Sequence, residues 1–244
     1  MASWIVHLRI ADKILEHLPD LDAGQFAIGN VAPDSGVPDE RWEVFDPPPE
    51  VTHFLHKETP DATGICQDMK FYDQYMQGQV DLQEDPQRFS FLLGYFFHLI
   101  TDNLWIDRIW HPTKKSYHSD FENNPEFIWE VKKDWYGLDF TYVRSHPDSL
   151  FWSAFIGSRY DEEYLIYFPP KAIADKIEYI KIFYQRTDED VDNRLRLTNH
   201  IYLNEAEMAL FVDGAYRDLL RIYQAIWERG VQTAGLTSAV ELLM

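Results

Sequence analysis

Phe89-Ser-Phe-Leu-Leu-Gly-Tyr-Phe-Phe-His-Leu-Ile-Thr-Asp102 is the most apolar run in this chain of 244 residues, and its reading decides the fold. It falls short of the ~20 apolar residues that span a bilayer and ends on a carboxylate, so it predicts a buried helix and no transmembrane segment. A helix that is apolar on every side has to be enclosed by others. Those others are legible on both flanks. Trp4, Leu8, Ala11 and Leu15 recur at helical spacing before Pro19, on a helix that also carries His7. Ile173, Ile177, Ile180 and Phe183 share one face behind Pro169 and Pro170, with Tyr184 near the end. Met208, Val212, Ala215, Leu219, Ile222 and Ile226 follow Asn204 and Glu207, a capping pair, and stop at Gly230.

Between these helices Val31 to Pro38 and Asp46 to Glu50 read as loops, because their prolines impose extended geometry. Phe140 to Val143 and Tyr164 to Phe168 have the composition of short strands without a clean alternation. No internal repeat, low-complexity tract or linker interrupts the chain. The expectation is an all-α, single-domain multi-helix bundle over residues 1–244 with long functional loops.

Composition narrows the function. An apolar fraction of 45%, with 16% aromatic residues, supplies ample core and argues against disorder. Acidic residues outnumber basic ones 41 to 22, and the net charge of −19 opposes binding to a nucleic acid or an anionic leaflet, so no nucleic-acid partner is expected. A local metal cluster would still admit a small phosphate-bearing substrate. Cys66, alone of its kind, cannot pair internally and reads as structural; with no apolar leader ahead of Trp4, the expected location is cytoplasmic. Trp105 and Trp110 read as core or cleft wall, and the acidic runs Asp81 to Asp85 and Asp188 to Asp192 as solvated faces.

The chemistry begins with His98 and Asp102, four residues apart and so on one helical face. An ionised carboxylate in such apolar surroundings is costly unless it is paired or coordinates a metal. By itself the pair fits either a buried His–Asp hydrogen bond or two ligands of one ion. His118 and Glu122 repeat the spacing in a polar segment, with His111 shortly before them; they fit a solvated helical pair or two further ligands. Asp34, in Gly29-Asn-Val-Ala-Pro-Asp-Ser-Gly36, fits a turn, a helix cap or a ligand. His53, in Thr52-His-Phe-Leu-His-Lys57, fits a polar loop residue or a ligand, with His56 as its alternate.

The succession Asp34, His53, His98-Leu-Ile-Thr-Asp102, then Tyr117-His-Ser-Asp-Phe-Glu-Asn123 resembles the ligand order of the bacterial zinc-dependent phospholipase C family, distant kin of the single-strand-specific zinc nucleases. The resemblance covers roughly the first half of the chain, so the ligands it implies are concentrated in residues 1–125. It implies that Asp34, His53, His98 and Asp102 surround one zinc, with Asp102 bridging to a neighbouring ion, and that His118 and Glu122 hold another with His111. The family's first-helix histidine falls nearer Ser3 than His7, but His7 lies one turn on along the same face and is kept as a further ligand. In secreted relatives the processed N-terminal residue also binds zinc, whereas this chain begins Met1-Ala-Ser-Trp4, so one to three Zn2+ ions are implied.

The resemblance further implies a helical fold whose ligands converge at the base of a cleft, and a phosphodiesterase chemistry in which activated water attacks a phosphorus centre. Asp34 would serve as ligand and as proton acceptor. The implied substrate is a phospholipid head group or a small soluble phosphoester; a metal-stabilised helical binding protein without catalysis is the alternative. Single-strand nuclease activity follows from the distant kinship and is disfavoured by the net charge of −19.

Overall fold

The structure is a computed structural model that describes residues 1–41, 43–58, 64–124, 126–197 and 200–244. The described residues form eleven α-helices: α1 Trp4–Leu15, α2 Ala23–Gly29, α3 Pro49–Thr52, α4 Asp68–Tyr75, α5 Pro86–Trp105, α6 His111–Ser116, α7 His118–Asn123, α8 Phe127–Ser145, α9 Ala172–Tyr184, α10 Glu189–Leu197 and α11 Glu205–Tyr223. Strand structure among them is limited to two antiparallel pairs of two-residue strands, β1 Val37–Pro38 with β2 Phe45–Asp46 and β3 Leu55–His56 with β4 Ile65–Cys66. The fold is therefore all-α. No helix among the described residues is long and apolar enough to cross a membrane.

The sequence that decided the fold becomes α5, its central element. Asp85 caps it by accepting the Arg88 amide at 3.1 Å, Pro86 opens it where no amide donor is needed, and every residue from Phe89 to Asp102 is buried. Burial of each such Leu, Ile or Phe side chain contributes roughly 1.5–3 kcal/mol. α2 packs on α5 more extensively than any other pair of elements. Two glycines make that approach possible: a Cβ on Gly29 would meet the Phe91 carbonyl oxygen at 2.0 Å, and one on Gly94 would meet that of Phe26 at 2.4 Å.

The outer helices meet this axis through the faces that the sequence marks. α1 buries Ile5, Val6, Leu8, Ile10, Ala11 and Ile14, and α9 buries Ile173, Ile177, Ile180 and Tyr184. α11 starts with a capping box in which Asn204 accepts the Glu207 amide and the Glu207 carboxylate accepts that of Asn204, both at 3.0 Å. Its apolar face continues through a single π-helical turn, Gln224–Glu228, to Gly230 at φ 62°. One hydrophobic cluster joins residues from Ala2 to Ala239.

Near the C-terminus, Asp68 on α4 accepts the Ala239 amide at 2.7 Å, the Ser238 hydroxyl at 2.5 Å and the Asn103 side-chain amide at 3.0 Å, tying the last turn to α5. Burial pushes its carboxyl up to about 7 against those donors.

Three local expectations differ from the structure. The stretches read as loops hold short regular elements, the 3-10 turn Ala32–Asp34 and β1 in the first, the end of β2 and the start of α3 at Pro49 in the second, because a proline is tolerated in the first turn of a helix, where no amide donor is needed. Phe140 to Val143 lies inside α8, where Phe140 and Val143 face the core, so burial against neighbours overrides a strand-like composition. Tyr164 to Phe168 is neither strand nor helix; its tyrosines pack as loop residues, Tyr167 donating its hydroxyl to that of Tyr95 at 2.9 Å.

Candidate metal centre

Five of the eight residues singled out in the sequence converge beside the middle of α5. His98 and Asp102 project from its face, 3.5 Å apart between Nε2 and Oδ2. α1 brings His7, whose ring stacks on His98 at 3.8 Å and whose Nε2 lies 3.5 Å from Asp102 Oδ1. The end of α3 brings His53, whose Nε2 stands 3.3 Å from that of His98, 3.3 Å from Asp34 Oδ1 and 3.8 Å from Asp102 Oδ2. Asp34 closes the short 3-10 turn Ala32–Asp34 that follows α2. All are buried except Asp34, which is partly open.

Neighbours fix the orientation of each ring. His98 donates from Nδ1 to the Asn30 carbonyl oxygen at 2.8 Å, a contact that demands a proton on Nδ1 and turns the Nε2 lone pair toward the cluster in the neutral imidazole. His53 Nδ1 is engaged by the Thr52 hydroxyl at 2.9 Å, so its Nε2 also points inward. The Tyr95 hydroxyl donates to the Thr52 carbonyl and pins that corner to α5. Trp4 donates its indole N–H to Asp34 Oδ2 at 2.8 Å, and the Ala2 amide donates to Asp102 Oδ1 at 2.8 Å.

What remains is an unsatisfied polar core. His7 Nδ1 and Nε2 and Asp102 Oδ2 are buried without hydrogen-bond partners, a costly condition unless a further group completes them. Two overlapping triads, His7/His98/Asp102 and Asp34/His53/His98, each hold their ligand atoms within 4.8 Å of one another. Mixed imidazole and carboxylate donors at this spacing are the donor set that zinc takes. The orphaned atoms and the donor chemistry thus fit a metal ion.

The electrostatics agree. Burial raises the carboxyls of Asp34 and Asp102, but the His53 imidazole beside Asp34 and the charge of His98 beside Asp102 outweigh it and hold both well below the usual carboxylate range. Burial lowers His98, yet the charge of Asp102 more than compensates and leaves it raised. Burial and the charge of His98 push His7 down to about 4, so His7 is neutral at pH 7, the form that ligates.

The other three residues lie elsewhere. His118 and Glu122 sit together on α7 with 3.3 Å between Nδ1 and Oε2, but their side chains are 67% and 66% exposed. His111, at the start of α6, is exposed, and so is His56 on β3. None of them joins either triad among the described residues. Beyond a single π-helical turn, Ile106–Trp110, α6 and α7 run with only Thr113 buried. Trp105 is core, edge-on to Trp135 and Phe211 at 5.1 and 5.0 Å, and Cys66 is buried with its thiol pushed up by desolvation.

Trp4 and Asn30 escape a reading of ligand spacing because they act on the cluster indirectly. The signal for Trp4 was present, since it lies three residues before His7 on the same face. Asn30 acts through its backbone, which no side-chain pattern reveals.

A cavity of about 460 Å3 opens beside the cluster, with Asp34, Trp4, Lys132 and Lys176 in its wall. A family model described as zinc dependent phospholipase C matches residues 6–168, a span that contains both triads. Neither the curated proteins nor the solved structures contain a match.

Proposed function

This chain belongs to the zinc-dependent phospholipase C family, and from that premise we propose that it is a zinc-dependent phosphodiester hydrolase acting on a phospholipid head group or a small soluble phosphoester. The observation that carries the reading is the position of Asp34. It belongs to a buried triad of metal-binding character and, alone among the cluster residues, also lines the cavity, so a substrate in the cavity meets the metal centre there.

The proposed ligands are Asp34, His53, His98 and Asp102, with His7 completing the second triad. A zinc ion held by them would supply Lewis acidity toward a phosphoryl oxygen and would lower the pKa of a bound water toward neutrality. His98 offers Nε2 alone, because Nδ1 is committed to Asn30, and so serves a single ion. A second ion would rest on His7 and the carboxylates. The Trp4 N–H holds Asp34 Oδ2 and leaves Oδ1 facing His53. Asp34 is ionised at neutral pH and would accept a proton from an attacking water; a carboxylate of such low basicity would relay the proton rather than keep it. Trp4, Trp135 and Phe183 line the cavity with apolar surface that limits bulk water.

A second cavity, about 360 Å3, shares Lys132 and Trp135 with the first and is walled by Leu55, Ile106 and Ile128. Its apolar lining supports a lipid leaving alcohol such as diacylglycerol. The deciding experiment is elemental analysis of freshly purified, chelator-free protein beside hydrolysis of bis(p-nitrophenyl) phosphate. At least one equivalent of zinc and metal-dependent turnover, both lost in His98→Ala, are expected. Absence of metal from the wild type would remove the reading, and bound zinc with no turnover of any phosphoester would replace it with a metal-stabilised binding protein.

A further inference from the structure

The net charge of −19 makes any concentration of positive charge on this protein conspicuous, and one occurs at the cavity beside Asp34. Several described cations elsewhere sit on carboxylates, among them Arg9 on Glu205 at 2.7 Å, Lys13 on Asp213 at 3.1 Å, Lys133 on Glu130 at 2.7 Å and Lys181 on Glu178 at 2.7 Å. Lys132 and Lys176 have no such partner among the described residues. Both are half-buried, and both rest on aromatic rings: Lys132 Nζ lies 4.9 Å from the Trp129 ring, and Lys176 Nζ lies 5.6 Å from Trp4 and 5.7 Å from Tyr179. These contacts hold the ammonium groups in place without neutralising them.

Both ammoniums come from separate helices, α8 and α9, yet line one cavity. Desolvation lowers both, and the carboxylate whose charge opposes that effect in each case is Asp34. The cavity wall thus carries two cations against one carboxylate, before any charge from a metal is added. A quaternary ammonium head group, otherwise suited to the aromatic surface, would face like charge there. An anionic group would replace the hydration that burial has removed from the lysines.

We propose that Lys132 and Lys176 form an anion-binding subsite that selects phosphodiesters whose head group leaves the substrate with net negative charge, such as phosphoglycerol, over zwitterionic phosphocholine. This rests on the hydrolase reading for its place in catalysis, but the binding of an anionic phosphoester does not. The two lysines touch the head group rather than the reacting phosphorus, and act as specificity residues.

The test compares kcat/KM for dihexanoyl phosphatidylglycerol and dihexanoyl phosphatidylcholine in wild type, Lys132→Gln, Lys176→Gln and the double variant, with glycerophosphoglycerol as the soluble arm. A preference of at least about tenfold for the anionic lipid is expected, carried mainly by KM, collapsing toward unity in the double variant and retained in Lys132→Arg and Lys176→Arg. Glycerophosphoglycerol turned over comparably with the lipid would assign the subsite to soluble diesters, and a clear advantage for the lipid would assign it to membrane substrate. An unchanged ratio in the double variant, or a wild type that favours choline, overturns the proposal.

A second readout separates the two levels of inference. Three tryptophans, Trp4, Trp129 and Trp135, line the cavity, so tryptophan fluorescence reports occupancy directly. Titration with sn-glycerol 3-phosphate should give saturable quenching that choline does not, weakened at least tenfold in the double variant. If no lipid is hydrolysed but this titration behaves as described, the hydrolase reading falls and the anion subsite stands. If wild type and double variant titrate alike, the subsite falls whatever the enzyme hydrolyses. Far-ultraviolet circular dichroism of each variant establishes that it is folded.

Discussion

Two helices of this protein carry the same arrangement, a histidine followed four residues later by a carboxylate. His98 and Asp102 on α5 have 3.5 Å between their nearest charged atoms, and His118 and Glu122 on α7 have 3.3 Å. Local geometry does not distinguish them; their surroundings do. The first pair is fully buried and meets His7, His53 and Asp34 from three other segments, whereas the second is two-thirds exposed and meets none of these. Helical spacing delivers two ligand atoms to one face. Whether they bind an ion depends on donors from elsewhere in the fold and on the removal of competing water.

The most severe way to break that comparison is to remove the buried pair. His98→Ala or Asp102→Ala should abolish stoichiometric zinc and lower phosphodiester turnover by more than about 100-fold, read by elemental analysis and initial rates, because loss of a direct ligand exceeds the roughly 10–100-fold cost of losing a supporting hydrogen bond. Wild-type zinc content in both variants would mean that the pair is only a core hydrogen bond.

Trp4→Phe sharpens the comparison by leaving every proposed ligand in place. Without the indole N–H, Asp34 Oδ2 loses its 2.8 Å donor, and zinc affinity should fall about tenfold in chelator competition. In the same assay, affinity should weaken as pH falls through the raised pKa of His98, since protonated imidazole cannot ligate; His7, lowered to about 4, adds nothing to that decline until near pH 4.

A smaller effect separates burial from metal binding. Asp139 on α8, which accepts the hydroxyls of Tyr184 at 2.7 Å and Ser3 at 2.8 Å, is pushed up to about 7 by desolvation, as is Asp68. At these two carboxyls the folded state holds protons that the unfolded state releases above about 4, so their contribution to stability declines as pH rises from about 4 to about 7, partly offset by His7, whose lowered pKa acts in the opposite sense up to 6.5. Asp139→Asn should remove its share of that decline in denaturant titrations across the window, leaving the share of Asp68.

The smallest effect is expected from the exposed pair. His118→Ala and Glu122→Gln should leave zinc content unchanged and alter stability by no more than about 0.5 kcal/mol, because water already screens the interaction. Loss of an equivalent of metal in either variant would show that α7 contributes ligands after all.

What was legible in the sequence follows the range of the interactions involved. The buried character of α5, the face of α1 that includes His7, and the Asn204–Glu207 cap of α11 depend on residues three or four apart, and all are present. The family match to residues 6–168 agrees with the resemblance carried by the ligand succession. The contact of His53 with His98 joins positions 45 apart, and that of Asn30 with His98 positions 68 apart, which no helical periodicity encodes. Two-residue strands such as β1 and β3 are shorter than any readable alternation. Lys176 reaches Trp4 only because α9 folds back over α1, so the basic side of the cavity was invisible beneath an acidic composition.

The glycine crossing of α2 and α5 sets a mechanical tolerance for the whole centre. Asn30, whose carbonyl orients His98, is the residue immediately after Gly29, and a Cβ on Gly94 would reach its amide nitrogen at 2.9 Å. The lever between the helix crossing and the imidazole is therefore one residue long, and both of its surfaces are peptide backbone, which yields far less than a side chain would. A single methyl at Gly94 would therefore press on the backbone that positions the His98 ring, so the close spacing of the two helices sets where its Nε2 lies.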